Sequence, residues 1–117
     1  MRLSDLQTKE IINMTTGKII NTVYKNKKKI KQTEKFFTYY LPITVGIVNK
    51  YDDIENQNLS SRDAKKFFYN AHESLREINS SFKKILDNLY ESDIENATAD
   101  MKVLNNILKV MALVILK

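Results

Sequence analysis

Residues 64–89 carry the feature that most limits what this chain can fold into, a long apolar stripe. Its members recur at alternating steps of four and three residues: Ala64, Phe68, Ala71, Leu75, Ile78, Phe82, Ile85 and Leu89. This spacing is typical of one face of an α-helix, and charged residues fill many of the positions in between. Ser60 or Ser61 stands where an N-cap is needed. The sequence therefore predicts an amphipathic helix of about seven turns.

A second stripe follows at the same spacing. It consists of Ile94, Ala97, Met101, Leu104, Leu108, Met111 and Ile115. We expect it to form another helix that begins near Thr98 and pairs with the first, and Ser92 with Glu95 offers a capping box as an alternative start. Beyond Ile107 the sequence is apolar on nearly all sides, so an oligomer contact or a partner is needed to cover it.

A third stripe passes through the single proline of the chain. Its members are Ile30, Thr33, Phe37, Tyr40, Thr44, Ile47, Tyr51 and Ile54. Because proline lacks an N–H and disfavours helical backbone at the preceding residue, the helix either kinks near Tyr40 or restarts with Pro42 in its first turn. We expect a helix that is kinked at Pro42, because the stripe keeps its phase across the proline. Tyr40 and Tyr51 fall on this stripe, which predicts packed rings with a hydrogen-bonded hydroxyl.

Residues 1–24 show a weaker helical pattern. Its apolar positions are Leu6, Ile12, Ile19, Ile20, Val23 and Tyr24. Since a glycine inside a helix costs roughly 1 kcal/mol relative to alanine, we predict a loosely packed N-terminal helix that is interrupted near Gly17.

These four segments predict an all-α fold. We expect a single helical domain over residues 1–117, built as an antiparallel bundle of about four helices with the second kinked at Pro42. Only two glycines and one proline are present, which argues against an all-β fold with its many tight turns.

Composition also limits the chemistry. The absence of cysteine excludes a thiolate metal site and a cysteine nucleophile, and a single histidine excludes a histidine-cluster metal centre. We therefore predict no metal site and no cofactor. No secretory signal pattern opens the sequence, and the longest apolar run, residues 110–116, is far shorter than the roughly 20 residues that span a bilayer. A cytoplasmic location is expected, with membrane association left open.

Positive charge is concentrated in the first half of the chain, where residues 1–50 carry ten Lys or Arg against three acids. Six of these lysines form a dense run: Lys25, Lys27, Lys28, Lys29, Lys31 and Lys35. This density suits the phosphates of an anionic lipid or a nucleic acid, and a solvated loop is the alternative. The run contains no arginine, which disfavours the reading of base edges, so nucleic acid is the less favoured ligand.

Few residues could carry catalysis. His72 is the only general base of the usual kind, and its alternative role is that of a boundary residue hydrogen-bonded to a neighbour. Asp52, Asp53 and Glu55 could ligate a divalent cation, but a solvated acidic surface is the favoured interpretation. The sequence contains no glycine-rich phosphate loop, so the catalytic residues of a hydrolase stay unassigned.

Residues 36–58 read FFTYYLPITVGIVNKYDDIENQN and carry a family resemblance. The run Tyr39, Tyr40, Leu41 and Pro42, followed by Lys50, Tyr51 and Ile54, resembles the XpaC family, which is named for hydrolysis of 5-bromo-4-chloroindolyl phosphate. The later stretches INSSFKKILDNLYESD and TADMKVLNNILK are similar to the two closing helices of that family. The resemblance covers roughly residues 30–110 and brings no catalytic residue set with it. It implies phosphate ester hydrolysis by label, and association with toxic-anion (tellurite) resistance proteins of the TelA type.

The function predicted first is that of a non-enzymatic interaction or assembly component, with a TelA-like protein or a second copy of the chain as partner. The candidate partner-binding residues are Tyr39, Leu41, Pro42, Val114 and Leu116. One alternative is a phosphatase that acts on indolyl or aryl phosphates. The other is binding of an anionic surface through the lysine run.

Overall fold

The computed structural model describes residues 3–116, and this range is helical almost throughout, with no strand. In chain order the elements are helix α1 (Leu3–Lys25), two 3₁₀ turns (Lys27–Lys29 and Lys31–Thr33), a π-helical turn (Phe36–Tyr40), helix α2 (Leu41–Asn56) and helix α3 (Arg62–Ile115). The all-α prediction is confirmed over this range.

The chain divides into two compact units between Leu86 and Asp87. The first unit contains α1, the short turns, α2 and the first part of α3. Its core is built from apolar and aromatic side chains of all these elements, among them Ile12, Ile19, Phe36, Tyr51, Leu75 and Phe82. The second unit consists of the remainder of α3.

Helix α1 is continuous, so the predicted interruption near Gly17 is wrong. Its buried residues, Asp5, Ile12, Thr15, Ile19 and Thr22, follow one face. Burial of Ile12 and Ile19 on either side of Gly17 contributes about 1.5–3 kcal/mol each, which outweighs the cost of about 1 kcal/mol for the glycine. The helix therefore passes through Gly17 without a break.

The predicted kink at Pro42 is also wrong. The N–H of Leu41 donates to the carbonyl oxygen of Phe36, five residues earlier, and Tyr40 and Leu41 both keep right-handed helical dihedral angles. Pro42 follows directly as the second residue of α2 and donates no hydrogen bond to the preceding turn, because proline lacks an N–H. The wide π turn thus accommodates the proline without a kink.

The π turn changes which side chains are buried. The π turn contains about one residue more than an α-helical turn, so the positions that follow it are rotated about the helix axis. Phe36 is buried as a result, while Tyr40 is 44% exposed. The ring of Phe36 meets that of Phe82 edge-on, with centroids 4.9 Å apart. Of the predicted third stripe, Thr33, Thr44 and Tyr51 are buried, but Ile30 and Tyr40 are not.

The stripe at residues 64–89 is confirmed. Ala64, Ala71, Leu75, Phe82 and Leu89 are buried, and its three other members are partly buried. The hydroxyl oxygen of Ser61 accepts a hydrogen bond of 3.1 Å from the N–H of Ala64, which is the predicted N-cap.

Helix α3 runs for 54 residues, and this overturns the antiparallel four-helix bundle. The two stripes predicted to pair belong to one helix, so they cannot pack against each other as antiparallel neighbours. The hydroxyl of Thr98 donates to the carbonyl oxygen of Ile94 at 2.8 Å, inside the helix, instead of capping a new one. No glycine or proline lies between Leu89 and Met101, so the backbone has no strong stop signal there.

Candidate functional site

A buried carboxylate links the three helices of the first unit. Asp5 of α1 is 1% exposed, and its Oδ2 accepts a hydrogen bond of 3.0 Å from the hydroxyl of Tyr51 on α2. Its Oδ1 pairs with Nδ1 of His72 on α3. Both oxygens of the carboxylate are therefore engaged, each by a different helix. We call Asp5, Tyr51 and His72 the carboxylate cluster.

A second polar contact between α1 and α2 lies beside this cluster. The ammonium group of Lys9, one turn after Asp5, donates to Oδ2 of Asp52 at 3.1 Å. Asp52 is thus engaged by a lysine and not gathered with other acids. In residues 3–116 no group of three acidic or histidine side chains is placed to hold a metal ion.

The carboxylate cluster has the parts of an oriented imidazole. A carboxylate on Nδ1 fixes the ring and leaves Nε2 for chemistry, and His72 is only partly buried. However, none of the three residues lines either of the two cavities described next. The geometry favours a role in holding the helices together. The hydrogen-bonded tyrosine hydroxyl predicted for the third stripe is confirmed at Tyr51, whereas Tyr40 is exposed.

The larger cavity is a groove of about 610 Å³ between α2 with its preceding π turn and α3, within the first unit. The residues that line it are Tyr39, Tyr40, Ile43, Thr44, Ile47, Ser74, Glu77, Ile78, Ser81, Phe82, Lys84 and Ile85. The rings of Tyr39 and Tyr40 are arranged edge to face with centroids 5.6 Å apart. A groove of this size with apolar walls and a few polar groups is typical of a ligand site.

The polar groups of this groove come mainly from one edge of α3. Ser74, Glu77, Ser81 and Lys84 follow each other at steps of three and four, so they share a face of the helix. An aromatic ligand would lie against the tyrosines, and Lys84 is the positively charged residue among those that line the groove.

A smaller cavity of about 310 Å³ lies between α1 and α2. Leu41 lines it, together with Lys9 and Thr16, so Leu41 and Tyr39 open onto different cavities. Pro42 is exposed and lines neither. The buried hydroxyl oxygen of Thr16 makes no hydrogen bond to the described residues.

The lysine run lies on the two 3₁₀ turns and their flanks. Asn26 caps the first turn, since its Oδ1 accepts from the N–H of Lys28 at 3.2 Å. Lys29 is 7% exposed and so does not belong to the surface patch. The other five lysines of the run are exposed: Lys25, Lys27, Lys28, Lys31 and Lys35.

Beyond the buried Leu89, the apolar residues of the second unit lie on its surface. Every residue from 90 to 116 is exposed, including the seven that we call the distal stripe: Ile94, Ala97, Met101, Leu104, Leu108, Met111 and Ile115. Even Leu108, the least exposed of the six large residues of the stripe, is 50% exposed. Val114 and Leu116, predicted as partner-binding residues, are among the most exposed apolar side chains. Among the described helices, none has both the length and the apolar content to cross a membrane.

The sequence did not identify Asp5 and Tyr51, two of the three cluster residues, as site residues. His72 was singled out as a candidate base, but its partner Asp5 was not. The available signal was the position of Asp5, seven residues before Ile12 on the buried face of α1. A carboxylate on a buried face requires a hydrogen-bonding partner, which here comes from distant parts of the sequence.

Fold and site together define a helical protein whose first unit is tied by one buried carboxylate and whose second unit presents an uncovered apolar stripe. The model of the 5-bromo-4-chloroindolyl phosphate hydrolysis protein family matches residues 1–104, and the chain belongs to that family. The XpaC-like resemblance is thereby confirmed, and the match also includes α1. No curated protein and no solved structure matches this chain.

Proposed function

We propose that this chain is a helical interaction module that binds a helix of another protein molecule along its distal stripe. The observation that carries the proposal is the exposure of all seven stripe residues. Steps of three and four residues are those of a coiled-coil seam, so an α-helix with the same spacing is the complementary surface.

Full burial of a Leu, Ile or Met side chain contributes about 1.5–3 kcal/mol, and the distal stripe contains six such residues. Large contiguous apolar patches on a protein surface mark interaction sites. Burial of this stripe against a partner helix would therefore contribute a large favourable free energy of association.

The partner comes from one of two sources. The family resemblance points to a toxic-anion resistance protein of the TelA type, and the other source is a second copy of this chain. In either case the contact is the same surface, so one pair of variants tests both. A non-enzymatic role is consistent with a carboxylate cluster that lines neither of the two cavities described above.

The test is the mass of the purified chain in solution by light scattering, alone across concentration and mixed with a purified TelA-type protein. Leu104→Glu places a charge on the stripe, and Asn106→Glu places the same charge on the opposite side of the helix as a matched control. We expect a complex that Leu104→Glu abolishes and Asn106→Glu preserves. A chain that stays monomeric in both samples, or a complex indifferent to Leu104→Glu, would overturn the proposal.

A second candidate function is hydrolysis of an aryl phosphate, as the family label implies. The observation that favours it is the groove of about 610 Å³, which combines Tyr39 and Tyr40 with Lys84 and two serines. An indolyl ring would lie against the tyrosines, and the ammonium group of Lys84 would attract the phosphate.

This second function is tested with 5-bromo-4-chloroindolyl phosphate and the purified chain, with and without added divalent cations. Lys84→Ala is expected to lower kcat/KM, while the matched control Lys83→Ala, whose side chain does not line the groove, leaves it unchanged. An intact substrate in all samples, or equal effects of the two lysine variants, would refute hydrolysis in this groove.

A further inference from the structure

We infer that the occupant of the distal stripe is a second copy of this chain, whose stripe runs antiparallel to the first. This inference rests on the proposed function and specifies its partner. It follows from the distribution of charge along the second unit and from the order of side-chain sizes on the stripe.

The charges of the second unit are separated by sign. Residues 87–100 contain five acids and no lysine or arginine: Asp87, Glu91, Asp93, Glu95 and Asp100. Residues 101–116 contain Lys102 and Lys109 and no acid. The segment is therefore an acidic half followed by a basic and strongly apolar half.

This separation favours one orientation. In a parallel pair the five acids of each copy lie beside the five of the other, and like charges repel. In an antiparallel pair the acidic half of each copy lies beside the lysine-containing half of its partner. Electrostatics alone thus selects the antiparallel arrangement, most strongly at low ionic strength.

Side-chain size selects the same orientation and fixes the register. Outward from the midpoint between Met101 and Leu104, the stripe steps by four and then three residues in both directions. An antiparallel pair about this midpoint places Ala97 opposite Leu108, and Ile94 opposite Met111. A parallel pair in register instead places Ala97 opposite Ala97, which leaves a thin layer in the seam. A small residue opposite a large one fills the space better.

The arrangement closes with two copies. A twofold axis through the midpoint makes the same surface serve on both chains, so the interface is self-complementary and gives a dimer instead of a fibre. Glu91 and Lys109 lie on opposite sides of the midpoint, so each helix brings its acidic end to the basic end of the other.

The chain contains no cysteine, which makes orientation directly measurable by pairs of spin labels. Single labels are attached at Ser92→Cys and, in a separate sample, at Asn105→Cys, both at exposed positions. With a rise of 1.5 Å per residue, the antiparallel register separates the two Ser92 labels by about 32 Å along the axis and the two Asn105 labels by about 7 Å. A parallel pair in register gives no axial separation at either site.

We expect a dimer by light scattering, with a long label distance at residue 92 and a short one at residue 105. A dimer with equally short distances at both sites would overturn the antiparallel inference and leave the proposed function standing. A chain that is monomeric alone but binds a TelA-type protein through the stripe would also overturn the antiparallel inference and leave the proposed function standing. Absence of association in both mixtures would refute the inference and the proposed function together.

Discussion

The hydroxyl of Tyr51 donates a 3.0 Å hydrogen bond to the buried carboxylate of Asp5, 46 residues earlier in the chain. The other oxygen of the same carboxylate pairs with His72, 67 residues after Asp5. Most backbone hydrogen bonds of this chain lie within single helices, so these side-chain bonds provide directional contacts between helices. The stability of the first unit should therefore depend strongly on Asp5.

Asp5→Ala should lower the free energy of unfolding by about 3–5 kcal/mol, because it removes the buried carboxylate that accepts from the Tyr51 hydroxyl and pairs with His72. The measurement is urea unfolding followed by circular dichroism. Asp53→Ala removes an exposed acid of α2 and serves as the control, with an expected change within about 0.5 kcal/mol. Equal unfolding midpoints for the two variants would show that the carboxylate cluster is not a major source of stability.

Tyr51→Phe removes only the hydroxyl and keeps the ring packed against Phe68, so a smaller loss of about 1–2 kcal/mol is expected. A double-mutant cycle with Asp5→Ala, which removes the acceptor, measures the coupling. The two effects should not add, because both variants remove the same hydrogen bond. Additive losses would mean that the hydroxyl contributes independently of Asp5.

The π turn predicts unequal roles for two neighbouring phenylalanines. Phe36→Ala empties a site that is 2% exposed and should cost about 3–5 kcal/mol of unfolding free energy. Phe37→Ala truncates a partly exposed ring and should cost less than half as much. The same urea titration measures the unfolding free energies of both variants. A larger loss for Phe37→Ala would contradict the register set by the π turn.

The exposed lysines predict binding to anionic membranes. Lys27, Lys28 and Lys31, replaced together by alanine, should weaken binding to vesicles that contain phosphatidylserine on the order of 100-fold, since each lysine near such a surface contributes about 1 kcal/mol. The dependence of binding on salt should flatten as well. Lys29→Ala is the control, because its buried side chain should affect stability and not vesicle binding. Unchanged binding in the triple variant would leave the run as a solvated loop.

The antiparallel dimer predicts a salt-dependent effect at two lysines. Lys102→Glu with Lys109→Glu makes both halves of the second unit acidic, so the dimer dissociation constant should rise at low ionic strength. At 1 M salt, where charges are screened beyond about 3 Å, the difference from the unaltered chain should nearly disappear. Sedimentation equilibrium at several salt concentrations measures both, and Lys83→Glu in the first unit is the matched control. A loss that is equally large in high salt would argue against an electrostatic choice of orientation.

Local pattern was sufficient to predict the helical class and the buried face of residues 64–89. That stripe is strictly periodic, and Ser61 supplies its cap, so nothing outside the segment is needed to recognise it. The continuity of α3 was missed because Ser92 and Thr98 were interpreted as caps. Both residue types also occur inside helices, where a hydroxyl bonds to the preceding turn as that of Thr98 does.

Two further features depend on information that no short window contains. The π turn inserts one residue into the helical repeat, and the sequence shows a proline without showing how the backbone accommodates it. Asp5 becomes a shared hydrogen-bond acceptor only because the fold brings Tyr51 and His72 of two other helices next to it. The uncovered face of the second unit was anticipated in part, since the excess of apolar residues after Ile107 already required an oligomer contact or a partner.

The position of Asp5 in the first turn of α1 affects how shortened versions of this protein should be designed. A fragment that begins after residue 5 lacks the acceptor shared by α2 and α3, although it retains every apolar residue of the core. Bulky fusions placed directly before this turn are expected to loosen helices that are distant in sequence. The smallest fragment expected to keep the packing of the first unit therefore begins before Asp5 and extends at least to Leu86, where that unit ends.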